Sequence, residues 1–453
     1  MSNSFQLGGD QLLAIETVKK FLKSSDIAIS ISGFAGTGKS TITKEIVNYL
    51  NDEYISYVLC APTHIAKLVL EQFTEEEGIT LHKLLALTPD IEILNLDFKD
   101  LKFLTNNKIS LFPAKGVVIC DESSMVNDEL FDLLIMKAHE YFAKIIFVGD
   151  EKQLRPVTAL THSKVFNLPN KITLNKIYRQ SSESGLVPIL PVLRERIIDR
   201  FYDSIGTKGS LTCHTDMRDF FSKIIPAFRI AIENKDILET KVLAYTNDRV
   251  GVFNRKVKEI IFGLENEYSK SEFLTCYENL EFNNMNFWNS MTYIVVSDPV
   301  KISIEIPYFM SLPGYRLNLY DAANDVTGYV CILSKYISKE YLDSLCFVIE
   351  STRLDAIELK RRRSRDASKR WRQYYEIINS FASPMDLYFD NRLIRKKSFD
   401  YGYACTIHKA QGQTMNDVFI DMKNVSICRD PDELRQLQYV SVSRAKNNVF
   451  IYQ

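Results

Sequence analysis

The stretch Gly33-Phe34-Ala35-Gly36-Thr37-Gly38-Lys39-Ser40 has the spacing GxxxxGK[ST]. It lies between an apolar run, Ile27 to Ser32, and a segment from Ser40 to Leu50 whose residues Ile42, Ile46, Val47 and Leu50 share one helical face. A strand passing through a glycine-rich turn into a helix is the setting this motif requires. The glycines let backbone N–H groups converge on phosphate oxygens, and the helix N-terminus adds positive potential. Lys39 neutralises the β- and γ-phosphates of a nucleoside triphosphate such as ATP, and the Ser40 hydroxyl ligates Mg²⁺. Gly33, Ala35, Gly36, Thr37, Gly38, Lys39, Ser40 and Thr41 are the candidate nucleotide contacts.

Outward from this loop, Val117-Val118-Ile119-Cys120 ends in the carboxylate pair Asp121-Glu122. Beside a P-loop, Asp121 is a second Mg²⁺ ligand and Glu122 orients and deprotonates an attacking water, which implies hydrolysis. Without the P-loop, helix capping by Asp121, Ser123 or Ser124 is the simpler reading. Gly149-Asp150-Glu151-Lys152-Gln153 follows a further apolar run, and the Gln153 amide, both donor and acceptor, suits sensing of a γ-phosphate. Gln11, on a helix ahead of the loop with Leu12, Leu13, Ile15, Val18 and Leu22, can read adenine by the same chemistry; a solvated helix face is the competing account.

The chain has 453 residues, 46% hydrophobic and 25% charged, a composition that buries several cores and excludes a peptide or wholesale disorder. Its formal net charge of −1 removes any bulk electrostatic case for a polyanion, so such a partner needs local Lys and Arg clusters. Eight cysteines form no CxxC pair and no Cys/His group at zinc spacing, which fits a reducing compartment. The N-terminus lacks a secretory pattern and no apolar stretch approaches the ~20 residues that span a bilayer, so a cytoplasmic protein without membrane contact is expected.

The first 175 residues alternate short apolar runs (Ile27–Ser32, Ser56–Ala61, Val117–Cys120, Ile145–Val148) with amphipathic segments, the pattern of a parallel sheet under helices. Val242–Tyr245, Val418–Ile420 and Val449–Tyr452 predict a second α/β lobe. Residues 271–350 turn β-rich, with Thr292–Ser297, Arg316–Tyr320 and Cys346–Ile349 as strands of a small inserted barrel. From Leu354 to about Arg395 the pattern is helical, and Lys360 to Arg372 holds eight basic residues against one acidic, beside Trp371, Tyr374 and Tyr375. A solvated helix face is the plain reading of that cluster.

Further motifs make this order of elements resemble superfamily 1 helicases. Ala61-Pro62-Thr63-His64 and Thr80-Leu81-His82 look like the DNA-contacting motifs of the first lobe. Leu174-Asn175-Lys176-Ile177-Tyr178-Arg179-Gln180 is similar to the fourth motif, with Asn175 and Lys176 in place of the usual Thr and Glu. Thr406-Ile407-His408-Lys409-Ala410-Gln411-Gly412-Gln413-Thr414 resembles motif V, and Gln438-Tyr439-Val440-Ser441-Val442-Ser443-Arg444-Ala445 motif VI. Within the family, Val242-Leu243-Ala244-Tyr245-Thr246-Asn247 and the β-rich insert resemble the RecD-like, superfamily 1B branch.

The resemblance covers essentially the whole chain and implies two RecA-like lobes with ATP at their junction. Residues 1–86 and 114–175 are the expected first lobe, 87–113 a pin, 176–270 and 396–453 the second lobe, and 271–395 an SH3-like barrel with a helical tower from about 354. Arg179 and Arg444 are the implied arginine fingers, with Gln411 and Gly412 at the nucleotide. Pro62, Thr63, His64, Thr80 and His82 from the first lobe and Asn247, Thr406 and His408 from the second are the implied grips on single-stranded DNA, with Phe98 the wedge. The expected activity is ATP-driven 5′-to-3′ movement with unwinding of duplex or forked DNA; a translocase or annealing motor without strong unwinding is the alternative. A small-molecule phosphotransferase and a DNA-binding module without turnover are the other classes. The resemblance further suggests a monomer of phage origin acting in a host cytoplasm in replication or recombination, with a single-strand-binding protein or other replication proteins as partners.

Overall fold

The computed structural model describes residues 7–89, 103–105, 111–156, 162–176, 184–283 and 285–453. Two parallel sheets form its frame. The first runs Gly78–Thr80, Tyr57–Ala61, Val117–Cys120, Lys144–Gly149, Ala28–Gly33, Lys171–Leu174, all neighbours parallel. Its central strands are almost wholly buried because helices cover both faces, with Ile29, Ile31, Ile119, Ile146 and Val148 on one side and Cys60, Val118, Cys120, Ile145 and Phe147 on the other; Ser30 and Ser32 are buried with them. The expected strands therefore appear where the apolar runs lie. Two strands were not anticipated, Gly78–Thr80 and Lys171–Leu174, which extend the sheet at its edges.

The second sheet runs Ala404–Thr406, Thr240–Ala244, Met415–Asp421, Ala445–Tyr452, Leu211–His214, again all parallel. Inserted between its strands is an antiparallel sheet in the order Val300–Glu305, Ser311–Asp321, Thr292–Val295, Phe273–Cys276, Phe399–Tyr401, with Val326–Leu333 paired to Ser311–Asp321. One continuous core serves both: Phe220, Phe228 and Phe253 from the second lobe pack in the same cluster as Phe273, Phe287, Tyr293 and Leu317 of the insert. The insert is thus welded to its lobe rather than tethered by a linker.

The run Cys346–Ile349 is not a strand. It lies inside helix Lys339–Arg361, whose buried residues Leu345, Cys346, Ile349, Thr352, Arg353 and Ala356 recur at helical spacing. A four-residue apolar run carries no period of its own, and its neighbours on both sides decide the matter. The helix pairs with Ala367–Asn379, so the helical segment begins some fifteen residues before the expected Leu354, and the basic cluster spans the end of the first helix, the mostly exposed turn and the start of the second. Leu87–Pro89 pairs antiparallel with Phe103–Thr105, the base of the expected pin; Phe98 lies outside the described residues. No helix among the described residues is long and apolar enough to cross a membrane.

A fully buried ion pair joins helix Asn247–Phe262 to the insert: Lys258 Nζ meets the Glu272 carboxylate, with Ser269 Oγ 3.1 Å away as a further acceptor. Burial pushes the Glu272 carboxyl up to about 7 against the pull of Lys258. Lys258→Met, which strands a buried carboxylate, is expected to cost about 3–5 kcal/mol in urea denaturation, and Lys258→Met/Glu272→Leu to recover most of it.

Candidate functional site: a nucleotide cleft between two lobes

Strand Ala28–Gly33 is buried along its length and delivers the chain into a loop whose Gly36 and Gly38 take φ of 85° and 79°. Both lie in the left-handed region that glycine adopts without strain. A Cβ at Gly38 would lie 2.3 Å from Gln11 Nε2, so the position also needs the missing side chain for space. Gln11 is 5% exposed, and its Nε2 donates to the Thr37 carbonyl at 3.1 Å while its Oε1 accepts from Gly8 N–H at 2.9 Å. The solvated-face account of Gln11 fails: Leu12 and Leu13 face solvent, and Gln11, Ala14, Ile15 and Val18 face inward. Lys39 Nζ, at the first turn of helix Lys39–Asp52, donates to the carbonyls of Gly33 and Phe34 at 2.9 Å each, which holds the ammonium across the loop.

Asp121 and Glu122 follow the buried strand Val117–Cys120, with Asp121 N–H bonded to the Cys60 carbonyl at 2.9 Å. Glu122 has φ 49°, a conformation that non-glycine residues keep only where the surroundings enforce it. Burial, then the neighbouring Glu122 charge, pushes the Asp121 carboxyl up to about 7, opposed by Lys39. A cavity of about 370 Å³ collects these groups: Lys39, Ser40, Asp121, Glu122 and Gln153 on one wall, Gly412 and Arg444 on the other. Arg444 is 3% exposed and contacts only neutral oxygens, the Gln413 carbonyl and Ser443 Oγ at 3.3 Å each; its Nε has no partner among the described residues.

The two walls are bolted together beside the cavity. Asp150, fully buried, accepts from Arg194 Nη1 at 2.8 Å through one oxygen and from Tyr439 Oη at 2.7 Å through the other. The same Tyr439 hydroxyl accepts from the P-loop N–H of Ala35 at 3.0 Å, and the Arg194 guanidinium lies 3.9 Å from the centre of the Phe34 ring. Gln411 Nε2 donates to Ser124 Oγ at 2.9 Å and to Gln153 Oε1 at 3.3 Å. Arg155 pairs with Asp430 and its N–H reaches Gln436 Oε1 at 3.3 Å.

A second surface lies at the carboxyl ends of the strands. Thr80 and Thr406 end their strands, Thr63 and Thr246 lie two residues beyond theirs, and each caps the following helix, the hydroxyls accepting from Lys83, Lys409, Ala66 and Arg249 N–H at 3.1–3.4 Å. Strands Tyr57–Ala61 and Gly78–Thr80 are neighbours in one sheet, and Thr240–Ala244 and Ala404–Thr406 in the other, so both lobes repeat one device. Pro62 is half-buried at the exit of its strand, and Asn247 opens helix Asn247–Phe262. His82 and His408 face each other across a cavity of about 310 Å³ that also takes in Leu87 and Arg155. His64 stacks on Trp288 of the insert, ring centres 3.9 Å apart and 20° from parallel.

The sequence matches the AAA domain family over residues 6–215 and the UvrD-like helicase C-terminal domain over residues 401–452. The ATP-dependent DNA helicase dda of Enterobacteria phage T4 is 25% identical over 460 residues, covering 96% of this chain and 97% of that protein. The ATP-dependent DNA helicase Pif1 of Campylobacter jejuni is 28% identical over 441 residues, 92% of this chain and 87% of its own length. Among solved structures, the Pif1 helicase from Candida albicans superposes with a TM-score of 0.51 at 16% identity, covering 99% of this chain and 94% of its own. These matches support a superfamily 1B helicase.

Helicases of this group are ATP-hydrolysing enzymes, and so is this one. Its P-loop, carboxylate pair, Gln153, Gly412 and Arg444 meet at one cavity, whereas Gln411 stands beside it, bridging the lobes and lining the His82–His408 cavity. Arg179 lies outside the described residues. Sequence reasoning missed Asp150 and Arg194 and quoted Tyr439 without a role; the signal available was Asp150 itself, an acidic residue directly after a fully apolar strand. Tyr439→Phe leaves the Ala35 N–H and one Asp150 oxygen without their partner, at an expected ~1–3 kcal/mol of stability by urea denaturation. Turnover is expected to fall with it, because the P-loop loses its direct tie to the opposite lobe.

Proposed function

We propose that this helicase couples ATP hydrolysis to 5′-to-3′ movement on single-stranded DNA and separates duplex strands at a fork. The observation that carries the reading is the cavity whose first wall holds the P-loop and both carboxylates and whose second holds Arg444, a buried cation without a carboxylate partner among the described residues. Such a cation answers to a charge that arrives with substrate. The direction rests on likeness to the superfamily 1B branch.

Lys39 and the loop N–H groups bind the β- and γ-phosphates, and Gln11, fixed to Thr37, stands where adenine would be read. The donors Ser40 hydroxyl and Asp121 carboxylate suit Mg²⁺, a hard cation that keeps water and phosphate oxygens as its other ligands. When bound, Mg²⁺ offsets phosphate charge and favours ionised Asp121. Glu122 takes the proton of the attacking water, Gln153 orients that water, and Arg444 and Arg179 spread the charge of the leaving phosphoryl group. ATP, gripped from both walls, favours closure; ADP lacks the group that the second wall holds, so cleavage opens the cleft.

The Thr-capped helix N-termini supply backbone donors and partial positive charge to phosphates, two from each lobe. Burial depresses His64 to about 4, which keeps it a neutral ring, and burial also lowers His82 and, against the pull of Glu433, His408. Stacking on such surfaces is worth about 1–3 kcal/mol per base and is indifferent to sequence. The domain division proposed is 1–86 with 114–175, a pin at 87–113, 176–270 with 396–453, and an SH3-like 271–395 whose helical tower is the pair Lys339–Arg361 and Ala367–Asn379. A monomer in a host cytoplasm, working beside a single-strand-binding protein, completes the proposal.

Lys39→Ala is expected to abolish hydrolysis, and Glu122→Gln to keep ATP binding while stopping turnover; loss of binding in the latter would reassign Glu122 to structure. Arg444→Ala should lower kcat by about 10³ or more while single-strand affinity stays near wild type. Forked substrates with either tail polarity test direction and unwinding together, and movement without strand separation would favour the translocase. At fixed salt, single-strand affinity measured by titration is expected to gain less on acidification from about pH 8 to 6 than three histidines with the ordinary pKa would give it, because all three are shifted down.

A further inference from the structure

The nucleotide cavity is longer than the triphosphate site at one end. Helix Lys39–Asp52, which starts at the P-loop, packs between helix Gly9–Leu22, which carries Gln11, and helix His64–Thr74. The first of these flanks lies over strands Ala28–Gly33 and Lys171–Leu174, the second over Tyr57–Ala61 and Gly78–Thr80, on opposite sides of the sheet's carboxylate strand. Adenosine, read by Gln11, therefore belongs to one flank. The cavity extends to the other, where Ala66, Val69 and Phe73 of helix His64–Thr74 face Thr414 and Lys446 of the second lobe. Nothing of the nucleotide beyond its terminal phosphate points that way.

We propose that this outer half is an exit site for inorganic phosphate, with Lys446 as its anion-binding side chain; the inference rests on the ATPase reading above. Lys446 follows Arg444 by two residues at the start of strand Ala445–Tyr452, so their backbones are ~7 Å apart, about the step a freed phosphate must take. Arg444 is buried and Lys446 exposed, which places one cation at the depth of the γ-phosphate and the next at the rim. Lys446 makes no ion pair among the described residues, whereas Lys44 and Lys67, from the two helices that flank the cavity, are each paired to a glutamate. Phe73, 49% exposed, forms the apolar lip opposite. In the reaction, the water oxygen bonds to the γ-phosphorus, the bond from that phosphorus to the β–γ bridging oxygen breaks, and Glu122 takes the proton. ADP keeps the bridging oxygen and its Gln11-side contacts, and the separated phosphate moves from Arg444 to Lys446.

The test is product inhibition of DNA-stimulated ATP hydrolysis by inorganic phosphate and, separately, by ADP, in wild type, Lys446→Gln and Lys446→Arg. Loss of one charge-assisted contact predicts an inhibition constant for phosphate about tenfold weaker or more in Lys446→Gln and restored in Lys446→Arg, with the ADP constant unmoved. An unchanged phosphate constant in Lys446→Gln, a wild type that phosphate does not inhibit, or an ADP constant that shifts equally would each overturn the inference. Those results leave the ATPase intact, whereas a wild type without turnover would overturn the ATPase reading itself and the exit site with it.

Discussion

One buried carboxylate organises this molecule. Asp150 divides its two oxygens between Arg194 and Tyr439, and Tyr439 in turn holds the Ala35 N–H, so the lip of the P-loop, the end of a first-lobe strand and two second-lobe helices meet at a single charge. In a low dielectric such a network is strong only when every member is satisfied, and here the carboxylate has a donor on each oxygen. The arrangement makes the approach of the lobes a matter of a few directional bonds rather than a broad apolar seam. Directional bonds of this kind can be exchanged one at a time, which is compatible with the opening and closing proposed above.

Around that joint the chain uses one economical motif four times. A parallel strand ends, a threonine caps the helix that follows, and the free N–H groups of the helix face outward at the carboxyl edge of the sheet. The duplicated arrangement gives each lobe two such capped helix starts, the surface proposed above to meet phosphates. Meanwhile the antiparallel insert shares its core with the second lobe through Phe253, Phe273 and Tyr293 and is pinned by the Lys258–Glu272 pair, so the two are packed as one unit.

Much of this was legible in advance because the relevant signals are local. The P-loop declares itself by glycine spacing, and Val117–Cys120 appears over the very residues its apolar run marks. Gly78–Thr80 and Lys171–Leu174 were invisible because three or four mixed residues at a sheet edge need no apolar run. Cys346–Ile349 misled because so short a run fits strand and buried helix alike. The Asp150 network was out of reach for another reason: its partners lie 44 and 289 positions away, and nothing in the sequence announces a hydrogen bond across that separation. The downward shifts of His64, His82 and His408 were not legible, since burial is a property of packing.

Helix His64–Thr74 has two audiences. Ala66, Val69 and Phe73 look into the nucleotide cleft, while Ile65 joins the aromatic core of the insert and His64 lies flat against Trp288. One short helix therefore walls the cleft with one face and braces the insert with the other, a span between the two that does not pass through Asp150.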